Sequence, residues 1–310
     1  METNIYDFGK VAVLMGGRSA ERNISLLSGE AVLSSLQSQG IDAHKVDVAC
    51  DISQKLTEGQ FDRAFIMLHG RGGEDGQIQG VLDSLGIPYT GSDLTGAVLS
   101  MNKALSKSIW QQLNLPTASY YHVNKSTESN ELISKLGLPL IVKPVNEGSS
   151  IGMAKVENAW DLKEAINDAL NYDSEVIAEC WIDGDEYTVA ILDGISLPVI
   201  LLKTPNKFYD FNAKYEANTT EYLCPAGLSN EDEAYCKELS LLAFDGLRMR
   251  GWGRIDLMRD KLGEFYLIEA NSIPGMTNHS LVPMAAKQEG LNFEELVLKI
   301  LRSSIKRGHS

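Results

Sequence analysis

The sequence has few cysteines and no apolar segment long enough to cross a membrane. Its four cysteines, Cys50, Cys180, Cys224 and Cys236, lie far apart and form no C-x-x-C pair. This pattern excludes a small disulfide-stapled scaffold and predicts reduced thiols. The longest apolar stretch, residues 189–202, is interrupted by Asp, Gly, Ser and Pro, so it falls short of the roughly 20 residues that a membrane helix needs.

Positive charge is also scarce. Lys and Arg total 28 against 42 for Asp and Glu, which gives a net charge of -14. Because nucleic-acid-binding surfaces need an excess of basic side chains, this balance argues against a nucleic-acid partner, and any phosphate site must be local. The first ten residues carry Glu2 and Asp7 and have no basic start followed by an apolar core. We therefore expect a cytoplasmic protein without a secretory signal or a membrane partner.

The chain also lacks a G-x-x-x-x-G-K-[ST] sequence, so a nucleotide would have to bind without a Walker loop. The Gly-rich segment from Gly70 to Gly76 follows an apolar run and resembles a dinucleotide fingerprint only loosely. Tight turns explain such runs equally well.

The 310 residues, 44% of them hydrophobic, suggest about two folding units. Alternating strand and helix patterns over residues 11–85 predict a parallel sheet. A helical pattern over 93 to about 113, strands from 140 onwards and further strands up to 271 predict α/β (α+β) units with boundaries near Gly91 and Gly184. The expected domains are residues 1–91, 92–184 and 185–310. The long polar segment 204–220 predicts either a lid or a disordered tip.

Asp256, Glu269 and Asn271 are the most informative polar residues. Glu269 and Asn271 are two apart in a strand pattern, so they point to one face. If the hairpin turn is centred on Leu262-Gly263, an even-length connection, position 256 lies opposite 269 and position 254 opposite 271. Three oxygen ligands then meet beside Arg254, a set that suits Mg²⁺ rather than zinc. The alternative is a solvated hairpin face, and the alternation of the apolar neighbours favours a site.

The segment from Lys143 to Gly152 places a lysine at a strand end before a turn rich in Gly and Ser, where backbone N–H groups can surround a phosphate. Residues 148–152 also match G-x-S-x-G, the nucleophile elbow of hydrolases, with Ser150 as the nucleophile. An elbow needs a helix directly after the serine, whereas residues 153–156 predict a strand. A flexible hairpin cap is the better interpretation, and a plain surface hairpin remains open.

Two single residues have ordinary structural interpretations as well as functional ones. Glu21 lies in the first turn of a predicted helix after Ser19, where a carboxylate can act as a cap. His69 ends a predicted buried strand, and a lone histidine in such a place is more often hydrogen-bonded structure than a ligand or base.

Taken together, these stretches resemble the D-alanine-D-alanine ligases of the ATP-grasp superfamily, in order from Val11 to about Leu301. The matching segments are GGRSAER, LHGRGGEDGQIQG, PYTGS, IVKPVNEGSSIGM, EYTVAIL, FYDFNAKY, CPAGL, GWGRIDLM and IEANSIPGMTNHSLVPMAA. The resemblance implies a three-domain ATP-grasp architecture, with a parallel-sheet N-terminal domain and ATP held between two antiparallel sheets.

The same resemblance implies the residues that bind ATP. The phosphates would be held by Lys103, Lys143 and Lys214 and by the loop that contains Glu147, Ser150 and Ile151. Adenine would be held by the hinge Glu179, Cys180, Trp181 and Ile182, with Phe208 enclosing the base and Glu186 on the ribose. Asp256, Glu269 and Asn271 would bind two Mg²⁺ ions, with Mn²⁺ as a substitute.

For the substrates, the resemblance implies that Glu21 anchors the ammonium group of the first D-alanine, linked by hydrogen bonds to Ser149 and Tyr215. His69 would lie by the carboxylate of that substrate. Arg254 and the backbone N–H of Gly275 would stabilise an oxyanion. Ser280 and the N–H of Leu281 would take the carboxylate of the second substrate.

The implied reaction is the ATP-dependent joining of two D-alanines through a D-alanyl phosphate, with release of ADP and phosphate, for peptidoglycan and cell wall synthesis and cell shape. The implied assembly is a homodimer. The alternatives are a D-alanine-D-lactate ligase, against which Tyr215 argues, another carboxylate-amine ligase, a serine hydrolase using Ser150, and a nucleotide sensor without turnover. The substrate range, kinetic constants and order of binding do not follow from the sequence.

Overall fold

The computed structural model of the chain describes residues 8–203, 220–277 and 279–305. Within these residues the strands form three sheets, with three, four and six strands in chain order. The first sheet is parallel and the other two are antiparallel, which confirms the predicted mixed α/β fold class. Phe208, Lys214 and Tyr215, and with them the predicted lid, lie outside the described residues.

The first sheet has the order β2-β1-β3. Its elements are β1 (Val11–Gly16), α1 (Arg22–Ser38), β2 (Ala43–Val48), α2 (Ile52–Gly59), β3 (Arg63–Ile66) and α3 (Gln77–Leu85). Every residue of β1 is buried, as expected for the central strand of a parallel sheet covered on both faces. The loops that follow β1 and β3 therefore emerge side by side at the carboxyl edge of this sheet.

The helical pattern over 93–113 corresponds to two helices, α4 (Leu94–Met101) and α5 (Lys103–Gln112), and the break between them was not predicted. Asn102 interrupts them with φ -84° and ψ 102°, an extended conformation. Its side chain accepts the Leu105 N–H at 2.9 Å and caps α5. The break places Lys103 in the first turn of a new helix.

The second sheet has the order β4-β7-β5-β6. Its elements are β4 (Tyr120–Val123), α6 (Ser129–Leu136), β5 (Leu140–Pro144), β6 (Ala154–Val156), α7 (Asp161–Ala169) and β7 (Val176–Cys180). β5 and β7 are antiparallel neighbours, with Lys143 opposite Ile177 and Ile141 opposite Glu179. The sequence analysis did not anticipate β4 or α6.

The third sheet contains β8 (Gly184–Leu192), β9 (Ile195–Ser196), β10 (Ile200–Lys203), β11 (Glu221–Leu223), β12 (Trp252–Asp260) and β13 (Phe265–Asn271). Its path is β11-β10-β8-β12-β13, and β9 pairs with β8. The helices of this part are α8 (Asn230–Gly246), α9 (Leu281–Gln288) and α10 (Phe293–Ser303). The long strand β12 pairs along its whole length with β8, which fixes the sheet on which the polar residues lie.

The largest hydrophobic core joins the first sheet to the last two helices. It contains β1 and β3 residues such as Leu14 and Phe65 together with Val297 and Ile300 of α10. Separate cores fill the third sheet against α8 and the second sheet against α7. The domain boundaries expected from the sequence remain a prediction. In the described part of the chain, no helix is long and apolar enough to span a membrane.

The shared core leads to a stability prediction. Ile300 is fully buried, so Ile300→Ala should lower the free energy of unfolding by about 2–5 kcal/mol through lost burial and a residual cavity. Urea denaturation followed by circular dichroism measures it. The control is Lys299→Ala on the exposed face of the same helix, and equal effects of the two substitutions would contradict this packing.

Candidate active site

The β12–β13 hairpin positions the predicted metal ligands. Arg254 pairs with Asn271 and Asp256 with Glu269, as predicted, but the predicted even-length turn is wrong. Asp260 N–H donates to Glu264 O at 2.9 Å and Gly263 has φ +94°, so the connection has three residues and ends on a left-handed glycine. A β-bulge then restores the pairing, because Leu257 pairs with Leu267 and leaves Ile268 without a partner strand residue.

The bulge decides which face of β13 is polar. In a regular strand Leu267, Glu269 and Asn271 would share one face. The extra residue changes the phase, so that Leu267 and Ala270 both enter the core while Glu269 and Asn271 turn the other way. The two oxygen donors therefore face the neighbouring cavity instead of the core.

Arg254 and Asp256 are two residues apart on β12, and their side chains form an ion pair. Arg254 Nε and Nη2 lie 2.8 and 2.7 Å from the two carboxylate oxygens of Asp256. Thr188 Oγ1 on β8 donates to the same carboxylate at 2.5 Å. Lys103 Nζ approaches Glu269 Oε2 at 3.3 Å. Positive and negative groups thus alternate over this part of the sheet, which holds the acidic groups close together.

The donor set fits a hard divalent cation. Asn271 Oδ1 is buried and, among the described residues, has no hydrogen-bond partner. A buried amide oxygen left unpaired is costly unless something else satisfies it, and a cation does so. In the part of the chain that the structure describes, no three His, Cys, Asp or Glu side chains cluster as metal ligands, so the candidate rests on two carboxylates and one amide.

A cavity of about 310 Å³ lies beside this face. Ten of the residues predicted from the sequence line it: Glu21, His69, Lys103, Ser149, Arg254, Glu269, Asn271, Gly275, Ser280 and Leu281. Asp256 does not line it, because it lies beneath the guanidinium of Arg254. Residues that the sequence analysis missed also contribute, among them Glu74, Tyr222 and Thr277.

Glu21 and Ser149 meet in the cavity from opposite sides. Ser149 Oγ donates a hydrogen bond to Glu21 Oε1, although the two residues are 128 positions apart in the chain. Glu21 stands at the N-cap position of α1, but its side chain makes no capping hydrogen bond. Ser19 Oγ accepts the Glu21 N–H instead, at 3.2 Å. The carboxylate is therefore free of the ordinary capping role and lies in the cavity.

The start of α9 forms another wall. Ser280 is the N-cap residue and Leu281 is the first helical residue, so backbone N–H groups and the positive end of the helix dipole face the cavity. Ser280 Oγ accepts the Thr277 N–H at 2.9 Å, which holds the preceding turn. A Cβ on Gly275 would come within 3.0 Å of Ser280 Oγ. This wall suits a carboxylate.

A buried histidine and a half-buried glutamate, both titratable, line the cavity. Burial lowers the pKa of His69, against the opposing effect of the Glu21 charge. Burial and then the Glu21 charge raise the pKa of Glu74 to about 8. Glu74 was missed because it belongs to the Gly-rich stretch that the sequence analysis explained by tight turns. An acidic residue within such a loop, directly after a buried strand, was the available signal.

Lys143 and Glu179, both predicted to bind ATP, form a buried ion pair with a third residue. Lys143 Nζ lies 2.5 Å and Lys107 Nζ 2.8 Å from the Glu179 carboxylate. Burial alone would raise the pKa of Glu179, but the two lysines outweigh it and keep the pKa low. Burial lowers the pKa of Lys107 to about 8. Lys107 was missed, although its i+4 spacing from Lys103 places both on one helix face.

The loop after β5 is held at Glu147 by two side chains. Arg71 Nε donates to Glu147 Oε1 at 2.6 Å, and Lys103 Nζ donates to the Glu147 carbonyl at 2.7 Å. Ser149 and Ser150 both have positive φ, +53° and +59°, and Ile151 N–H donates to Gly148 O. The strand β6 follows this turn, not a helix, so the serine-hydrolase alternative has no nucleophile elbow.

The hinge between the second and third sheets carries Cys180, Trp181 and Ile182. The N–H groups of Cys180 and Trp181 donate to Ser119 O and Pro139 O, so adenine would have to use other backbone atoms of the hinge. Glu186 lies on β8 between β10 and β12. Lys143, Glu147, Ser150, Ile151 and the four hinge residues 179–182 lie outside the 310 Å³ cavity, as does Glu186.

Comparisons with known proteins agree with this architecture. The family profile described as D-ala D-ala ligase C-terminus matches residues 109–302, and the one described as D-ala D-ala ligase N-terminus matches residues 44–92. A D-alanine-D-alanine ligase from Pseudoalteromonas atlantica is 53% identical over 305 residues, covering 97% of this chain and 96% of the relative. One from Nitrosococcus oceani is 55% identical over 300 residues, covering 97% and 95%.

Solved structures give the same result. The crystal structure of D-alanine-D-alanine ligase from Bacillus anthracis has a TM-score of 0.85 at 32% identity, covering 97% of this chain and 98% of that one. The structure of the same enzyme complexed with ATP has a TM-score of 0.84 at 30% identity, with the same coverage. The fold and the cavity thus define an ATP-grasp enzyme. The chain belongs to the D-alanine-D-alanine ligase family.

The raised pKa of Glu74 gives a pH prediction. A carboxyl group whose pKa is about 8 in the folded protein and 4.5 in the unfolded chain holds its proton only in the folded state between these two pH values. Its contribution to stability is therefore full below pH 4.5 and is lost as the pH rises to about 8, by about 1.4 kcal/mol for each pH unit in the window. Glu74→Gln should remove this slope.

Urea titrations of the wild type and of Glu74→Gln across that window measure the slope. Glu74 accepts two backbone N–H groups, so the amide costs some stability at every pH, and only the change with pH is diagnostic. The control is Glu58→Gln, an exposed helix carboxyl. Parallel stability curves for wild type and Glu74→Gln would rule out the raised pKa.

Proposed function

We propose that the protein joins two D-alanine molecules to D-alanyl-D-alanine with ATP, through a D-alanyl phosphate, and releases ADP and phosphate. The observation that carries the proposal is the composition of the 310 Å³ cavity. It brings together a carboxylate, an arginine, a lysine, two Mg²⁺-type oxygen donors and the N-terminus of a helix. These groups match the charges of an amino acid, a phosphate and a developing oxyanion. Membership of the family supports the same reaction.

Mg²⁺ would be held by Asp256, Glu269 and Asn271, and when bound it would neutralise charge on the phosphates. The oxygen-only donors and the unpaired Asn271 Oδ1 support this assignment over zinc. Two ions, with Mn²⁺ as a substitute, are proposed from the resemblance of the sequence to the family. Asp256 would have to exchange part of its bond with Arg254 for the metal, which frees the guanidinium to face the substrate.

In the first step, the carboxylate of the first D-alanine attacks the γ-phosphate of ATP. Lys103, 3.3 Å from Glu269, and the more deeply buried Lys143 would offset the negative charge that gathers there, together with Lys214. The loop of Glu147, Ser150 and Ile151 would cover the phosphates. The hinge residues Glu179 to Ile182, Glu186 and Phe208 would hold the nucleoside.

In the second step, the amine of the second D-alanine attacks the activated carbonyl. Arg254 and the N–H of Gly275 would stabilise the oxyanion, and phosphate then leaves. Glu21, supported by Ser149 and Tyr215, would hold the ammonium group of the first substrate, with His69 beside its carboxylate. Ser280 and Leu281 N–H would bind the carboxylate of the second substrate at the start of α9. The acyl phosphate must be kept from water during this exchange.

We further infer from the family that the protein is a cytoplasmic homodimer whose product serves cell wall synthesis. Light scattering of the purified protein measures the mass in solution, and a monomer would contradict the dimer.

The function predicts a specific substrate dependence. Phosphate release with Mg²⁺ and ATP should require D-alanine, and mass spectrometry should identify the dipeptide. D-lactate, which has a hydroxyl group in place of the amine, and L-alanine, the mirror image of D-alanine, are the comparison substrates. If ATP binds but phosphate release does not depend on D-alanine, the ATP-grasp assignment stands and the substrate assignment is wrong.

The metal site predicts a second result. Glu269→Gln and Asn271→Ala should each lower kcat by about tenfold or more, because charge neutralisation at the transferring phosphate is weakened, and raise the Mg²⁺ concentration that gives half-maximal activity. Steady-state assays over a Mg²⁺ series measure both. The matched control is Glu264→Gln, an exposed residue of the same hairpin. An unchanged Mg²⁺ dependence in both variants would exclude these two side chains as ligands.

A further inference from the structure

The turn that carries Gly275 is tied to the first third of the chain by three side chains. Ile273 N–H donates to Glu74 Oε1 at 3.2 Å, and Ile273 O lies 2.9 Å from His69 Nδ1. On the other side of the glycine, Met276 N–H donates to Ser28 Oγ at 3.1 Å. The backbone is therefore held both before and after Gly275, by groups from α1 and from the loop after β3.

The directions of these hydrogen bonds follow from their chemistry. A carbonyl oxygen only accepts, so His69 Nδ1 carries the hydrogen. In a neutral imidazole the other nitrogen then accepts, and Ser28 Oγ lies 3.4 Å from His69 Nε2. The Ser28 hydroxyl therefore donates to His69 and accepts from Met276. One continuous chain of donors and acceptors runs from Met276 N–H through Ser28 and His69 to Ile273 O.

This chain of hydrogen bonds is shielded from water. Ser28 and Met276 are fully buried and His69 is 6% exposed. Burial favours the neutral imidazole and lowers the pKa of His69. Because hydrogen bonds in such surroundings are stronger than in water, they favour one position of the turn.

We propose that Ser28 and His69 are positioning residues for the oxyanion N–H of Gly275, and that His69 is held as the neutral imidazole with its hydrogen on Nδ1. Both nitrogens of His69 are then engaged by the protein, so Nε2 accepts from Ser28 and does not donate to a substrate carboxylate. The role of the Gly275 N–H in the reaction rests on the proposed ligase function. The protonation of the His69 ring does not depend on that function.

The ring form can be measured without any assay of activity. In protein labelled with ¹⁵N-histidine, long-range proton-nitrogen correlation spectra distinguish the two neutral forms from the charged ring. The sequence has five histidines, and the signals that disappear in His69→Gln identify this one. We expect a neutral ring protonated on Nδ1 at neutral pH. A hydrogen on Nε2, or a charged ring, would overturn the proposal.

Ser28→Ala tests the link to the turn. The Met276 amide loses its acceptor, so its hydrogen exchange should accelerate by about tenfold or more. The kcat for D-alanine-dependent phosphate release should fall by about tenfold, with KM for ATP and D-alanine within about twofold, because the oxyanion contact is made only in the transition state. The control is Ser240→Ala, another fully buried helical serine, whose hydroxyl bonds only its own helix at Cys236 O.

A pair of substitutions at His69 separates positioning from mere packing. In His69→Asn the side-chain amide can place an N–H near the position of Nδ1, whereas in His69→Gln it lies near the position of Nε2. The asparagine variant should therefore retain several-fold more kcat than the glutamine variant. Equal losses in the two, or an unchanged kcat and Met276 exchange rate in Ser28→Ala, would overturn the proposal. If the wild type shows no dependence on D-alanine, the proposed function fails, while the spectra and exchange rates still decide the positioning.

Discussion

The unpaired residue at Ile268 is the constraint on which the site depends. Without it, the hydrophobic alternation of β13 would turn Glu269 into the core and bring an apolar side chain to the cavity. With it, Leu267 and Ala270 fill the core while Glu269 and Asn271 face Lys103 and the 310 Å³ cavity. β12 pairs with β8 along its whole length, and this register places Asp256 beside Thr188. The one-residue bulge thus lets apolar side chains of β13 enter the core while its polar side chains face the cavity.

The chain is strongly acidic, but it buries three lysine side chains near the candidate site. Lys103, Lys107 and Lys143 are 6%, 0% and 1% exposed, and each lies near a carboxylate on another element. Such pairs hold lysines charged where solvent is scarce, although the pKa of Lys107 is lowered to about 8. Lys103 and Lys143, which we propose as phosphate ligands, are therefore buried side chains and not part of a basic surface.

Sequence patterns predicted the parallel sheet within residues 11–85 and a strand that begins at residue 140, since the apolar periodicity that indicates them is local. Most of the candidate site residues came instead from the resemblance to the family. The pairing of Asp256 with Glu269 was also predicted, but through two errors that cancel: the loop has an odd number of residues and the strand has a bulge. The break at Asn102 was missed because the helical pattern continues on both sides of it.

The features that the sequence did not predict depend on contacts between residues that are far apart in the chain. Ser28 meets Met276, and Lys107 meets Glu179, only after different sheets pack together. A local sequence pattern does not predict which buried hydroxyl group will form a hydrogen bond with a given turn. The residues proposed to touch the substrates lie in recognisable motifs, whereas residues such as Ser28 and Lys107 resemble ordinary core positions in the sequence.

The shared core of β1, β3 and α10 has a consequence for how the protein is made. The first sheet is synthesised well before Leu296, Val297, Ile300 and Leu301, which complete its core. During translation the emerging first sheet therefore has an uncovered apolar surface until α10 leaves the ribosome. That surface is a natural point of contact for chaperones, and a chain whose synthesis stops early is left with it exposed.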